Sequence, residues 1–430
     1  MKKLRIVLLL LLCMCLAGCG KNDNGNGGGN PTQTPQDGQT TPVAVRLNVW
    51  APQEDQTALG EYKEGLLKAM CAKFQEAHPE WNITFTYGVC SEGDARNEIS
   101  KDPEAAADVF MFSGDQTAEL VENGVLAPVT VNLNEIVENN SSVAIEAATF
   151  NNLLYGIPFS PNTWFMYYDK SLYSEEDVKS LDTMLSKDLG KGAYNIAIAL
   201  DDGWYNASFF FANGCNLFGE NGNDPTMMDF NNEKGVEVGK YLIKLVNSGK
   251  FLMDTGEKIG ISYMSQGKCG ALFSGTWDAN AIQQALGENY AATVLPTITI
   301  NGEEKQLESF GDFKYVGVNL NKNYPEAAQA LAAYLGGPEC QKIRLDMRSI
   351  VPTWKSVLED EQVSQNVAVV AASQQLEHVH IQSTIPQMSN FWEPAKAFAK
   401  GIYGGSITEA NLQASLDAFV KNVLGGIKQQ

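Results

Sequence analysis

The sequence predicts an α/β protein built from two lobes. The first third of the folded part alternates strand and helix patterns in the order β-α-β-α-β, which is typical of a parallel sheet covered by helices. A varied form of the same alternation follows it, and 430 residues suggest about two or three domains. The apolar fraction of 44% fits a packed core and is too high for a disordered chain. Two α/β lobes are therefore the simplest interpretation.

The elements of the first lobe follow from the spacing of apolar residues. Arg46–Trp50 and Trp81–Val89 alternate apolar and polar residues, and Asp108–Phe112 is a continuous apolar run, so all three are predicted strands. Between them, Leu59–Phe74 has apolar residues at helical spacing and Glu92–Ser100 looks helical. In such a sheet a ligand binds beyond the carboxyl ends of the strands. We therefore expect functional side chains in the turns that follow the first and third strands.

The second half of the chain shows further elements of both kinds. Strands are predicted at Thr163–Tyr168, Ile196–Leu200, Gly270–Phe273, Thr293–Pro296 and Tyr315–Leu320. Helices are predicted at Asn206–Asn213, Val236–Asn247 and Pro325–Leu335, and the chain from Gln374 onward is expected to be mostly helical. The helix at Pro325–Leu335 has proline in its first turn and a glycine pair after its last residue, which are the usual signals at the two ends.

The N-terminus has the pattern of an exported lipoprotein. A short basic stretch precedes the apolar run Ile6–Ala17, which is too short to span a membrane permanently and is typical of a signal peptide. The run ends in Leu16-Ala17-Gly18-Cys19, which resembles the lipobox of bacterial lipoproteins. This resemblance implies a signal peptide at residues 1–18 and a lipid on Cys19 that anchors the protein to the outer face of the cell membrane.

The segment after Cys19 is expected to be a disordered tether covering residues 19–43. Gly20–Pro42 consists mainly of Gly, Asn, Gln, Thr and Pro and offers no apolar residue that could pack. The folded part is therefore expected to be held outside the cytoplasm on a flexible segment.

Charge and cysteine content narrow the class of function. The chain has 31 basic and 51 acidic residues, a net charge of −20, which argues against a nucleic-acid partner. Five cysteines lie beyond Cys19, an odd and widely spaced set that is not a disulfide framework and contains no C-x-x-C zinc pair. They are expected to be buried apolar residues, although a bridge between Cys71 and Cys90 stays open: Cys71, Cys90, Cys215, Cys269 and Cys340.

Motifs for catalysis, metals and cofactors are lacking in the sequence. It contains no G-x-S-x-G elbow and no G-x-x-x-x-G-K-[ST] phosphate loop. His378 and His380 could share a strand face and bind a metal, but a solvated pair is the favoured interpretation. We expect no metal, no cofactor and no enzymatic activity.

Three tryptophans stand among polar residues, in the segments Asp201–Asn206, Gly275–Asp278 and Ser389–Glu393. A sugar ring offers an apolar face that can stack on an aromatic side chain, and hydroxyls that carboxylates and amides can bind. Three such segments in an exported α/β protein favour a sugar-binding site over core packing. The other tryptophans are expected in the core: Trp50, Trp81, Trp164 and Trp354.

Five segments carry a resemblance to a known family: Leu153–Leu172, Gln266–Asn280, Ala292–Thr299, Tyr315–Leu320 and Ile385–Trp392. They resemble the maltose- and maltodextrin-binding members of the family-1 extracellular solute-binding proteins of ABC sugar importers. The resemblance implies a periplasmic-binding-protein-like fold, with the ligand in a cleft between two lobes joined by hinge strands. It places the N-terminal lobe at 44–160 plus 317–366 and the C-terminal lobe at 161–314 plus 367–430.

The resemblance also implies a set of ligand-binding residues. Trp204, Trp277 and Trp392 match the stacking aromatics, and Phe112 lies where the family has a tryptophan. Acidic residues that would bind hydroxyls are Glu54, Asp115 and Asp202. Three further residues are expected at the site: Asp55, Asn162 and Glu393. Their side chains, like that of Gln116, depart from the family pattern, which leaves the exact sugar open.

The resemblance implies a cell-surface lipoprotein that binds malto-oligosaccharides. The lobes would close on the ligand and deliver it to the transmembrane subunits of an ABC permease that works with a cytoplasmic ATPase, and the protein is expected to be a monomer. Alternatives are a xylo-oligosaccharide or another glycan as ligand, a sensor lipoprotein without a permease, and a secreted glycosidase. A glycosidase needs a pair of carboxylates at a defined separation, and the sequence marks no second partner for Asp201 or Asp202.

Overall fold

The structure is a computed structural model that describes residues 41–254 and 258–425. The expected signal peptide, Cys19 and nearly all of the expected tether lie outside the described residues. Within the described ranges, no helix combines the length and the apolar character needed to cross a membrane.

The described residues contain fifteen strands, numbered here in chain order. β1 to β15 are Val43–Ala51, Trp81–Val89, Val109–Ser113, Thr149–Phe150, Leu153–Leu154, Ile157–Asn162, Phe165–Asp169, Ile196–Ile198, Phe251–Met253, Ala271–Ser274, Tyr290–Thr293, Thr297–Ile300, Glu303–Gln306, Ser309–Val318 and Val379–Ile381.

Eighteen α-helices are present in the same ranges. α1 to α18 are Gln53–Gln56, Leu66–Ala77, Ala95–Ile99, Thr117–Glu122, Leu133–Asn139, Ser142–Ala147, Leu181–Ser186, Gly203–Ala212, Glu233–Val246, Ile259–Ser265, Ala279–Leu286, Pro325–Leu335, Pro338–Arg348, Lys355–Leu358, Glu361–Gln365, Val367–Gln375, Trp392–Tyr403 and Leu412–Gly425. Short 3-10 turns include Gly114–Gln116, Thr276–Asp278 and Pro386–Asn390.

The first sheet contains the three strands predicted at the start of the folded part, together with β6, β14 and β15. Its strand order is β15-β14-β3-β1-β2, and β6 pairs with β14 beside this row. β1 runs parallel to β2 and β3, whereas β14 runs antiparallel to β3 and β6. The long strand β14 changes neighbours along its length, because Lys314–Val318 pair with β3 and Ser309–Gly311 pair with β15. The carboxyl ends of β2 and β3 are thus brought to one edge of the sheet.

The second sheet belongs to the C-terminal lobe and has the order β11-β7-β10-β8-β9. β8 runs parallel to β9 and β10, and β7 runs antiparallel to β10 and β11. The chain passes from the first sheet to the second within a few residues, between β6 and β7, and returns at β14. The predicted two-lobed α/β fold is confirmed.

Each sheet is covered on its faces by buried apolar side chains. One cluster surrounds the first sheet and extends over one face of the second, and another cluster fills the opposite face of the second sheet. β8 shows the alternation that this requires, since Ala197 belongs to the first cluster while Ile196 and Ile198 belong to the second. The sheets therefore form rigid supports for the residues at their strand ends.

The tryptophans and cysteines expected in the core are largely found there. Trp164 and Trp354 are buried, and Trp50 and Trp81 are half-buried against the first cluster. The five cysteines beyond Cys19 are buried and free, so the open question of a bridge between Cys71 and Cys90 is answered by two unpaired thiols.

Two predictions about elements are wrong. The predicted helix Leu59–Phe74 begins only at Leu66, because Gly60 and Gly65 adopt positive φ angles of 56° and 88° that interrupt a helix. The predicted strand Thr293–Pro296 shares only Thr293 with β11, and its other three residues lie between β11 and β12.

Candidate ligand-binding cleft

A cleft of about 670 Å³ lies where the strand ends of the two sheets face each other. Segments that follow β2 and β3 form one wall, and segments that follow β8 and β10 contribute to the other, together with the start of α17. Loops beyond the carboxyl ends of parallel strands are the usual place for ligands in α/β folds. The volume lies in the range of pockets that hold small-molecule ligands.

Seven of the ten residues expected to bind the ligand line this cleft: Asp115, Asn162, Asp202, Trp204, Trp277, Trp392 and Glu393. They come from the segments after β3, β8 and β10, from the last residue of β6 and from the start of α17. Sequence positions up to 278 apart are therefore brought into one site.

The backbone of Trp204 is held at the start of α8 by two hydrogen bonds. Asp202 caps the helix, because its Oδ1 accepts the backbone N–H of Trp204 at 2.9 Å. The backbone carbonyl of Trp204 accepts the indole N–H of the buried Trp164 at 3.1 Å. Its ring stacks on Phe310 with centroids 5.4 Å apart and planes at 18°. The indole is thus half-buried and has a fixed orientation at the cleft.

Trp392 stands beside Trp204, with ring centroids 6.5 Å apart. Its ring packs against Gly203, where a Cβ atom would lie 3.3 Å from the indole. Trp277 lies in the turn after β10 and covers Gly275 so closely that a Cβ there would be 2.1 Å from the ring. All three indoles are half-buried and line the cleft, so each can offer part of its ring to a ligand.

The rest of the lining is rich in charge. Eight carboxylates and four cationic side chains line the cleft. Lys314, on β14, lies 3.3 Å from a carboxylate oxygen of Glu92 and 5.4 Å from the ring centroid of Trp277. Carboxylates of this kind can accept hydrogen bonds from several hydroxyls of a neutral ligand.

Glu54 lies in an adjoining cavity of about 270 Å³ that shares Trp277, Lys258 and Lys314 with the cleft. Lys258 Nζ is 2.8 Å from Asp278 Oδ1 in the C-terminal lobe and 3.7 Å from Glu54 Oε1 in the N-terminal lobe. This lysine therefore forms ion pairs on both sides of the cleft, whereas Glu54 itself lies in the adjoining cavity.

Asp115, which lines the cleft, forms an acidic pair with the buried Asp312. Asp312 is buried on β14, and its Oδ2 accepts the backbone N–H of Gly114 at 2.9 Å. Burial raises the pKa of Asp312 to about 7, and burial together with the neighbouring Asp312 raises the pKa of Asp115 well above its usual value. One of the two carboxyls can thus be a hydrogen-bond donor near neutral pH.

The expected ligand contacts of Asp55 and Phe112 need correction. Asp55 is 1% exposed and forms a buried ion pair with Arg348 and with Arg344, whose Nε is 3.1 Å away. Burial opposes its ionisation, but the two guanidinium groups outweigh this and lower the pKa of Asp55. Phe112 is fully buried and packs on Tyr315 with centroids 5.5 Å apart. Both residues support the N-terminal lobe rather than line the cleft.

His380 also differs from expectation. Instead of belonging to a solvated pair, its ring stacks on Phe211 with centroids 3.8 Å apart and planes at 10°. Burial lowers the pKa of His380 to about 4, so the ring is neutral at physiological pH.

A family model described as bacterial extracellular solute-binding protein matches residues 69–371 of the chain. The chain belongs to this family. Members of this family are solute-binding proteins rather than enzymes.

This solute-binding protein has curated relatives that are named for oligosaccharides. It is 27% identical over 332 residues to the galactooligosaccharide-binding protein of Bacillus subtilis, which covers 75% of this chain and 77% of the relative. It is 26% identical over 337 residues to a maltooligosaccharide ABC transporter solute-binding lipoprotein of Streptococcus pneumoniae, which covers 76% and 78%.

Two solved structures are similar to this solute-binding protein over most of its length. A structure determined with acarbose has 34% sequence identity and a TM-score of 0.83, covering 89% of this chain and 99% of that one. The maltodextrin-binding protein of L. casei BL23, solved without ligand, has 25% identity and a TM-score of 0.75 over 89% and 99%.

Several cleft residues of the solute-binding protein escaped the sequence analysis. Lys258, Lys314 and Gln382 belong to no motif that the sequence analysis singled out, and only the fold brings them to the cleft. Asp254 and Asp278 follow β9 and β10, so the rule that ligands bind beyond strand ends could have found them.

Proposed function

We propose that this protein is the substrate-binding lipoprotein of an ABC sugar importer and that its ligand is a malto-oligosaccharide. The observation that carries the proposal is the convergence of Trp204, Trp277 and Trp392, all half-buried, on a single cleft lined by carboxylates. Successive glucose rings of an α-glucan offer apolar faces to such platforms, while their hydroxyls meet Asp115, Asp202 and other acids.

The mechanism is binding coupled to closure. Trp204, Trp277 and Trp392 belong to the C-terminal lobe, whereas Asp115 belongs to the N-terminal lobe. A ligand that contacts both walls binds the closed form more tightly and shifts the population toward it. The closed form would then dock on the transmembrane subunits of the permease, with Cys19 and its lipid keeping the protein at the membrane.

Relatives support the choice of ligand class. Two of the relatives described above are named for maltooligosaccharide and maltodextrin, and a third structure, at 34% identity, was solved with acarbose. A second candidate ligand is a galacto-oligosaccharide, because the relative from Bacillus subtilis is named for it and is 27% identical. The tryptophan platforms would serve both ligand classes, whereas the acids would distinguish their hydroxyls.

The test is isothermal calorimetry on the purified protein. Maltose, maltotriose, maltotetraose and acarbose are titrated beside galacto-, xylo- and cello-oligosaccharides. We expect tight binding of the α-glucans, and removal of an aromatic platform should weaken it by about 2 kcal/mol, roughly thirtyfold in Kd, in Trp277→Ala and Trp392→Ala.

A matched control is Trp81→Phe, because Trp81 is half-buried on β2 outside the cleft and should leave affinity unchanged. Binding of galacto-oligosaccharides alone would keep the class of function and replace the ligand. Absence of heat with every sugar would overturn the proposal.

A further inference from the structure

Gln382 has an unusual environment at the wall of the cleft. It follows β15 directly, and its backbone N–H donates to the carbonyl of Gly311 on β14 at 2.9 Å. The residue is 4% exposed, and its side chain lines the cleft. Among the described residues its Oε1 atom has no hydrogen-bond partner. A buried acceptor without a partner costs free energy, so its presence calls for a reason.

The other buried glutamines of the described chain show what is normal for this fold. Gln116, Gln329, Gln341 and Gln375 each use both ends of the carboxamide in hydrogen bonds. Gln375, for example, accepts the N–H of Leu295 at 2.8 Å and donates to the carbonyl of His378 at 2.8 Å. These four residues hold the backbone together, whereas Gln382 has no such structural use for its acceptor.

Location separates Gln382 from the other unpartnered buried groups as well. Six buried side-chain atoms in the described ranges lack a partner, and of their residues only Gln382 lines the cleft. The backbone of Gln382 is hydrogen-bonded to Gly311, which directly precedes Asp312 of the acidic pair. On the other side of β14, Asn162 is the register partner of Asp312 and also lines the cleft.

We infer that Gln382 binds the ligand, and that its Oε1 atom accepts a hydrogen bond from a sugar hydroxyl in the cleft. This rests on the proposed function and adds a specificity residue to it. The terminal torsion of a glutamine is broad and roughly two-fold, so rotation of the carboxamide can turn Oε1 toward the cleft without moving the backbone. The backbone itself is fixed by the contact with Gly311.

The inference has a chemical consequence for selectivity. The acceptor Oε1 of Gln382 requires a hydrogen-bond donor on the ligand. A hydroxyl is such a donor, whereas a ring oxygen or a glycosidic oxygen is not. A site built to bind one hydroxyl rejects analogues that lack it, because its polar group is then left unpaired. Gln382 would thus read the position of one hydroxyl, while the tryptophans read the rings.

The experiment compares affinity with the stability of the ligand-free protein. In Gln382→Met the side chain keeps a similar shape but loses its acceptor. We expect maltotriose to bind about tenfold more weakly, as for a lost hydrogen bond of about 1.4 kcal/mol. The melting temperature of the ligand-free variant should equal or exceed that of the wild type, because an unpaired buried acceptor has been removed.

Gln375→Met is the matched control, since Gln375 is fully buried outside the cleft and both ends of its carboxamide are bonded. It should lower the melting temperature and leave the affinity for maltotriose unchanged. If Gln382→Met does not fold, Gln382→Ala removes the same acceptor without adding bulk.

Two outcomes would overturn the inference alone: wild-type affinity in the folded Gln382 variant, or a melting temperature that falls together with the affinity, as for a structural glutamine. Wild-type protein that binds none of the tested oligosaccharides would instead overturn the proposed function on which the inference rests.

Discussion

Trp164 and Trp204 are hydrogen-bonded to each other and yet have different roles. Trp164 is fully buried and uses its indole N–H to hold the backbone of Trp204, whose own ring is half-buried at the cleft. The same division is seen among the acids, since Asp115 lines the cleft and Asp55 is enclosed by two arginines. At the scale of residues, the type of side chain does not decide the role, but its partners do.

The buried ion pair of Asp55 is expected to stabilise the N-terminal lobe. Asp55→Asn would leave Arg344, 1% exposed, as a buried charge without its carboxylate, and should lower the free energy of unfolding by about 3–5 kcal/mol. Urea unfolding measures this. Glu54→Gln on the half-exposed neighbour should cost less than about 1 kcal/mol. If Asp55→Asn had normal stability but lost sugar affinity, Asp55 would be a ligand-binding residue and its structural role would be refuted.

The acidic pair predicts a pH dependence of stability. Burial raises the pKa of Asp312 to about 7 in the folded state, so the folded chain holds more protons than the unfolded chain between about pH 4 and 7. Stability therefore falls as pH rises through this window. In Asp312→Asn, urea midpoints should fall less steeply between pH 5 and 7, and should exceed those of the wild type at pH 8.

Two charged neighbours bear on this profile. Lys314 lowers the pKa of Asp312, whereas the pKa of Asp115 is itself raised by burial and by Asp312. Glu76→Gln, an exposed carboxylate on α2, is the control and should leave the pH profile unchanged. Parallel profiles of Asp312→Asn and the wild type would refute the assignment.

At the scale of elements, the turn after β10 shows how the backbone fixes a platform. Gly275 precedes the 3-10 turn Thr276–Asp278, and the ring of Trp277 lies back over it. In Gly275→Ala the new Cβ would lie 2.1 Å from the ring, so the indole must swing away. We expect calorimetry to show a loss of maltotriose affinity close to that of Trp277→Ala.

A double variant tests whether Gly275 acts through Trp277. Adding Gly275→Ala to Trp277→Ala should cause no further loss, because the ring that the methyl displaces is already absent. Additive losses would mean that the glycine has a separate effect on the site.

Elements that the sequence predicted correctly carry their signals locally. The strand Trp81–Val89 and the helix Pro325–Leu335 have the predicted bounds, because alternation marks the first, and proline and glycine mark the ends of the second. The segment Thr293–Pro296 was misjudged, since its backbone is held by distant groups such as the side chain of Gln375. Arg344, 289 positions from Asp55, is likewise beyond the reach of any local pattern.

The candidate site follows the same rule. The tryptophans were predicted because each stands in a short polar segment, and their convergence on one cleft was implied only by the family resemblance. Lys314 and Gln382 line the cleft because β14 and β15 lie beside the strand ends, which no local pattern in the sequence indicates.

For the whole molecule, the contacts that cross the cleft should tune closure. Lys258 is near carboxylates of both lobes, at 2.8 Å from Asp278 and 3.7 Å from Glu54. Lys258→Met should weaken maltotriose binding about two- to fivefold, because an exposed ion pair contributes up to about 1 kcal/mol. The effect should shrink in 0.5 M salt, since salt screens exposed charges.

Lys240→Met, on the exposed side of α9, is the control for a general loss of positive charge. Equal effects of the two variants, or an effect of Lys258→Met that salt does not change, would contradict a link across the cleft.

The five buried thiols have a practical consequence. Burial raises the pKa of Cys90 to about 11 and that of the other four to about 12: Cys71, Cys215, Cys269 and Cys340. Thiols that stay protonated and enclosed do not react with maleimides at neutral pH. A single cysteine introduced at an exposed rim position such as Glu393 could then be labelled selectively with an environment-sensitive dye. The fold is therefore suited to a reagentless optical sensor, in which movement of the lobes on ligand binding changes the fluorescence of the dye.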